Sequence, residues 1–265
     1  MSPGKPWLSD AEVINDQLNL QVNISYSRHH AFMLKHGLAA CRRVLDLGTG
    51  NGHFLSKVAG SHSSIRFYGI DDKPHMIEAA KERDAKNVEW RIADVNDFGK
   101  LPDLRGIDGI LMRYFILHLP NIREVLARIA GSVRKGTVLW IFDVDLNEFV
   151  CDPPHRAFDL IKDLARRFCD RFSNESEAAS QLPDILAGAG FAFVEKEIEP
   201  FSNKEMESRL FEKFLSQEVY LYSRFLRQRQ NSRDMTAIRH FIRHEVASGD
   251  HEVRYGMVMV AARRN

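Results

Sequence analysis

From residue 43 to residue 145 the apolar positions switch between two spacings. Short runs with strand character, such as Arg43–Leu47, Ile65–Asp71, Val88–Ile92, Ile107–Met112 and Thr137–Val144, alternate with stretches whose apolar residues recur every three or four positions. The first pattern predicts strands and the second predicts amphipathic helices, here at His53–Ala59, Pro74–Arg83 and Ile122–Val133. Pro74 opens its helix, where a missing N–H costs nothing. Val138 to Phe142 is apolar without a break, as a strand buried on both faces requires. Strand–helix alternation of this kind predicts right-handed βαβ units, a parallel sheet and helices on both of its faces. In such sheets ligands bind beyond the carboxyl ends of the strands, so the loops after Leu47, Ile70, Ile92, Met112 and Phe142 are expected to converge.

Outside that core the helical period dominates. Residues 10–38 predict one or two helices. His155–Phe172 sets Phe158, Ile161, Leu164, Ala165 and Phe168 on one face, and residues 204–246 repeat the pattern. The plain reading of these aromatic stripes is helix packing. Leu182–Phe193 predicts a helix stopped at Gly190 and a following strand, and Val253–Ala262 a last strand. No repeat or linker divides the chain, so residues 1–265 read as one domain. Its expected parts are a helical cap (1–40), a core (41–146), helical inserts (147–180 and 201–250) and two segments that complete the sheet (181–200 and 251–263).

Composition narrows the function. The chain has 265 residues, with 37 basic and 36 acidic, for a formal net charge of +1. That balance gives no argument for nucleic acid or an anionic membrane as partner. No apolar run reaches the ~20 residues of a bilayer span, and Met1–Asp10 lacks the apolar stretch of a signal peptide. Three cysteines, Cys41, Cys151 and Cys169, make no disulfide scaffold and no zinc pattern, so a reducing, cytoplasmic location is expected. No carboxylate or histidine cluster has metal-ligand spacing, and no required metal is expected.

The candidate chemistry begins at Asp46-Leu47-Gly48-Thr49-Gly50-Asn51-Gly52, between a strand and a helix. Glycines there let a ligand lie against bare backbone, and the helix N-terminus favours an anionic group. A dinucleotide fingerprint would place its third glycine where His53 stands. The acid two residues before the first glycine suits a ligand ammonium instead of a pyrophosphate. Asp71 ends the second strand, where a carboxylate can accept both hydroxyls of a ribose. Asp94 follows the third strand, where an acid can accept from an exocyclic amine while a neighbouring N–H reads the ring.

With these residues in place, Arg43–Asp145 resembles the class I S-adenosylmethionine-dependent methyltransferases. Asp46–Gly52 matches their first motif, Tyr68–Ala80 their second and Ala93-Asp94 their third, and Arg113–Asn121 is similar to the segment after the fourth strand in small-molecule members. The resemblance implies a Rossmann-like, seven-stranded, mostly parallel α/β sheet with an antiparallel last strand, and S-adenosylmethionine as cofactor. It implies that Gly48 and Gly50 pack under the methionyl part and that Asp46 lies near its ammonium. Asp71 would hold the ribose, Met76 the adenine face, Asp94 the adenine N6 and the Val95 N–H a ring nitrogen. Arg113 would lie near the sulfonium through its backbone carbonyl, and Tyr26 would fold over the cofactor carboxylate.

On the acceptor side the expected residues are His118 as a general base and Asp143 or Asp145 orienting a hydroxyl or amine. Tyr114, Phe158 and Tyr222 would line an apolar, aromatic-friendly site. Asp152-Pro153-Pro154-His155 has the look of a base-flipping motif, but it follows the fifth strand and ends in His, and reads as a turn. The arginines between 222 and 245 read as a solvated face. The expected activity is methyl transfer to an O, N or C atom of a small molecule. Methyl transfer to protein or RNA, or cofactor binding without catalysis, stay open. The apolar helices at both ends cover either the site or a homodimer partner, and periodicity does not separate the two.

Overall fold

The computed structural model describes residues 10–172, 177–199, 201–227 and 232–265. Its strands are β1 (Arg43–Leu47), β2 (Arg66–Asp71), β3 (Val88–Ile92), β4 (Gly109–Arg113), β5 (Val138–Val144), β6 (Val150–Asp152), β7 (Phe191–Ile198), β8 (Glu252–Arg254) and β9 (Met257–Arg264). Its helices are α1 (Asp10–Lys35), α2 (His53–Ser61), α3 (Pro74–Lys81), α4 (Ile122–Ser132), α5 (Arg156–Phe172), α6 (Leu182–Ala189), α7 (Ser208–Phe225) and α8 (Arg233–His240), the last running on into a π-helical turn at Phe241–Val246. The main sheet has seven strands in the order β3-β2-β1-β4-β5-β9-β7. Strands β1 to β5 pair in parallel, and β9 runs antiparallel to both of its neighbours. This is the expected Rossmann-like architecture.

The pleat sorts the core into two layers. Leu45 and Leu47 of β1, with Leu139 and Ile141 of β5, pack among residues of α4, α5, α6 and α7. Val44 of β1, with Val138, Trp140 and Phe142 of β5, packs against α1 and α2 on the other face. Every residue of β5 is buried, which accounts for its unbroken apolar run. The aromatic stripe of α7 is helix packing: Phe211, Phe214, Leu215 and Val219 are all buried.

Two expectations need correction. The strand expected over Val253–Ala262 is two strands. β8 pairs with β6, an unexpected short strand that precedes the helix of the 147–180 insert, and β9 then joins β5. The break falls at Gly256, where an added Cβ would lie 2.1 Å from the Asp145 carbonyl oxygen and 2.8 Å from the Phe149 nitrogen. The chain slides past the 145–149 turn there and changes partner, a close approach that only glycine permits. The residues before Asp10, and Arg229 of the arginine-rich stretch, lie outside the described residues.

Candidate active site

The parallel register brings the carboxyl ends of β1 to β5 to one edge of the sheet. Beyond β1 the chain is stitched to β2: the N–H groups of Gly48 and Thr49 both donate to the Ile70 carbonyl, at 3.0 and 2.8 Å. Gly48 and Gly52 have φ of 73° and 70°, in the left-handed region. A Cβ on Gly48 would lie 2.2 Å from the Phe115 ring, and one on Gly52 2.7 Å from Ala80 and Trp90. The alternating glycines are therefore a steric requirement of this loop as well as a ligand platform.

Around the loop stand the three acids. Asp46 is 3% exposed; its Oδ2 accepts from the Thr49 hydroxyl at 2.7 Å, and its Oδ1 is buried with no hydrogen-bond partner among the described residues. Burial pushes its carboxyl up to about 7. Asp71 accepts from the backbone N–H of Gly50 at 2.9 Å and of Lys73 at 3.0 Å. Burial raises its carboxyl as well, and the two backbone donors oppose that rise. Asp94 is exposed and accepts from the Asn96 backbone and side chain. These acids, Gly48, Gly50, Met76, Val95 and Arg113 line one cavity of about 730 Å³.

The segment after β4 forms the next wall. Tyr114 adopts a left-handed φ of 51°, uncommon outside glycine, and its N–H donates to the Phe142 carbonyl at 2.7 Å. Asp143 holds the turn that follows. Its carboxylate accepts from Phe115 N–H and Ile116 N–H, both at 2.8 Å, and from Val144 N–H at 2.9 Å. Burial pushes Asp143 up to about 6 against the pull of those donors. The structure thus gives this residue a bracing position, with its oxygens already engaged. His118 lines the cavity edge-on to Phe168, with ring centroids 6.1 Å apart, and the protein around it together with the Lys73 charge lowers its pKa.

Three expected residues do not reach the cavity. Tyr26 reaches over the outside of α2, its hydroxyl donating to the Lys57 carbonyl at 3.2 Å and its ring lying under the Lys57 ammonium. Asp145 is ion-paired with Lys196 at 3.0 Å and accepts from Asn147 N–H. Phe158 packs edge-on against Phe149 in the core. Tyr114 and Tyr222 do line the cavity.

Helix α1 supplies what the sequence reading missed. Gln17, Gln21, Ser25 and His29 recur every fourth residue and are all buried, forming a polar stripe. Gln17 and Gln21 donate to Glu218 of α7. Ser25 Oγ and His29 Nδ1 accept from the Arg113 guanidinium at 3.1 and 3.2 Å, and His29 Nε2 meets Glu199 at 3.1 Å. Burial lowers the His29 pKa. Neutral His29 accepting at Nδ1 carries its proton on Nε2, aimed at Glu199. Arg113 therefore enters the site through a side chain fixed by α1, beyond the backbone role expected for it. The available signal was polar residues at i, i+4 spacing inside an otherwise half-apolar helix.

A family model described as a methyltransferase domain matches residues 40–220. Among curated proteins, the trans-aconitate 2-methyltransferase of Mycobacterium tuberculosis is 27% identical over 151 residues, which is 55% of this chain and 53% of that protein. The chain spans about half the length of the curated relatives it matches. Among solved structures, the plantazolicin methyltransferase BpumL in complex with SAH superposes with a TM-score of 0.56 at 12% identity, covering 96% of this chain and 89% of that one. The [4+2]-cyclase SpnF superposes with a TM-score of 0.54 at 18% identity, covering 84% and 75%. At these identities the structural likeness is one of fold, while the family model covers most of the chain. The chain therefore belongs to the methyltransferase domain family.

Proposed function

We propose that this chain methylates an O, N or C atom of a small, aromatic or apolar molecule held beneath α1, α5 and α7. The observation that carries the reading is the continuity of the cavity. It runs from the glycine loop and the three acids to Ile14 and Leu18 of α1, Phe168 of α5 and Leu221 and Phe225 of α7. Its volume falls in the range of small-molecule sites. Residues 1–40, 147–180 and 201–250 would then serve as cap and lid over the core, within one domain.

The cofactor-side residues fit S-adenosylmethionine. The buried Asp46 Oδ1, without a partner among the described residues, is an acceptor for the cofactor ammonium. Arg113, half-buried beside it, would face the carboxylate. Asp71 would take the ribose hydroxyls, Met76 the adenine face, and Asp94 with the Val95 N–H the adenine edge. When bound, the cofactor supplies a methyl group on a sulfonium, which leaves as a thioether. The chain's own work is alignment and exclusion of water. His118, whose lowered pKa keeps it neutral near pH 7, would accept the proton of a hydroxyl or amine acceptor. Asp143 would keep the His118 turn in place.

Calorimetric titration with S-adenosylmethionine and S-adenosylhomocysteine tests the site. Wild type should bind both with micromolar affinity, and Asp71→Ala should lose at least about tenfold, roughly the value of one charge-assisted hydrogen bond. Equal binding by wild type and Asp71→Ala would remove Asp71 from the site. Turnover that falls steeply with salt on an RNA or protein acceptor, and is absent on small molecules, would replace the substrate reading.

A further inference from the structure

The half of the cavity beneath the helices holds a polar cluster that the cofactor-side residues do not use. Glu218 of α7 is 5% exposed and lines the cavity with Gln17, Gln21, Tyr222 and Tyr255. Its Oε1 accepts from Gln17 Nε2 and from Gln21 Nε2, the latter at 3.0 Å. The hydroxyls of Tyr222 and Tyr255 lie 2.7 Å apart and stand beside the Glu218 carboxyl. Every one of these donors is neutral. A buried carboxyl served only by neutral groups lacks the cation that ordinarily offsets its desolvation.

The two glutamines add a second observation. Their carbonyl oxygens, Gln17 Oε1 and Gln21 Oε1, are buried and have no hydrogen-bond partner among the described residues. Turning either amide over would break its bond to Glu218 and set two acceptors face to face. The cluster is therefore over-supplied with acceptors: one carboxyl and two amide oxygens. The lysine and the arginine of the cavity wall are engaged elsewhere, Lys73 with Asp72 at 2.7 Å and Arg113 with Ser25 and His29. A polycarboxylate such as trans-aconitate, the acceptor named for the mycobacterial relatives, would meet Glu218 with no compensating charge. A ligand bearing N–H or O–H groups would satisfy the surplus acceptors.

We infer that Glu218, set by Gln17, Gln21, Tyr222 and Tyr255, is the specificity-determining residue of this site, and that the acceptor offers it a hydroxyl or amine donor, neutral or cationic, and not a carboxylate. The inference rests on the proposal that a small molecule is methylated beneath these helices. It divides the cavity into a cofactor end organised by Asp46, Asp71 and Asp94 and an acceptor end organised by Glu218.

The test measures binding to the full chain loaded with S-adenosylhomocysteine. Phenols, alcohols and amines, tyramine and catechol among them, are compared with matching carboxylates including trans-aconitate. Donor-bearing probes should bind wild type. Glu218→Gln should weaken them at least about tenfold, and Tyr222→Phe should weaken them less, both keeping cofactor affinity within about twofold of wild type. With any probe that turns over, Glu218→Gln should raise KM more than it lowers kcat. Preferential binding of trans-aconitate by wild type, unchanged donor affinity in Glu218→Gln, or no binding by any donor-bearing probe would overturn the inference. Loss of cofactor binding by wild type is a separate result that strikes the cofactor site instead.

Discussion

At the scale of single residues, Asp46 sets ligand binding against stability. Its carboxyl, pushed up to about 7 by burial, holds a proton in the folded chain at pH values where the unfolded chain has lost it. At this group the folded state thus binds more protons between about pH 4 and pH 7, so the contribution of Asp46 to the stability of the cofactor-free protein falls as pH rises through that window, by about 4 kcal/mol in all. Cofactor binding should run the other way, because an ammonium is held by the ionised form. Affinity for S-adenosylmethionine should rise from about pH 6 to about pH 8. Asp46→Asn should flatten that profile, weaken binding at high pH by about tenfold or more, and raise the melting temperature of the cofactor-free protein at about pH 8. Calorimetry and thermal melts across that range check both halves. Asp46 was legible in the sequence because its signal is local: an acid, a strand end and three glycines within seven residues. Tyr26 shows the limit of such reading. It sits one position past Ser25, about 100° further round the helix, and so points over α2 and not into the cavity.

Elements show why Asp143 is better understood as part of a turn than as a lone acid. It joins β5 to the segment after β4 through three backbone N–H groups. Asp143→Ala would strand those donors and should cost about 2–4 kcal/mol in chemical denaturation. Asp143→Asn keeps an acceptor for part of the set and should cost less than half as much. Turnover should survive in the Asn variant if the group braces the turn, and vanish if it takes the proton. The sequence placed Asp143 at the end of its strand but could not say which loop it would face. The parallel strands and their helices were legible because each announces itself by its own period. The split between β8 and β9 was not, since it depends on Gly256 meeting the 145–149 turn more than a hundred residues earlier in the chain. Glu218 escaped for the same reason: its partner Gln17 is 201 positions away.

For the whole molecule, the decisive assembly is α1 laid across the sheet edge, bridging Glu218 of α7, Arg113 of β4 and Glu199 beyond β7. One helix therefore touches both the expected cofactor side and the expected acceptor side of the cavity. Backbone amides of α1 should exchange with solvent deuterium faster than those of β1 and β5, and S-adenosylmethionine should slow them. Exchange in α1 as slow as in β5 without ligand would count against that view. The seam under α1 is made partly of amides, a hydroxyl and an imidazole where the other helices offer leucine and phenylalanine. Water is a good substitute partner for such groups and a poor one for hydrocarbon. Along the Gln17–His29 stripe water can stand in for the lost partners, so that strip of α1 carries a smaller hydrophobic penalty on lifting than a strip of leucines would.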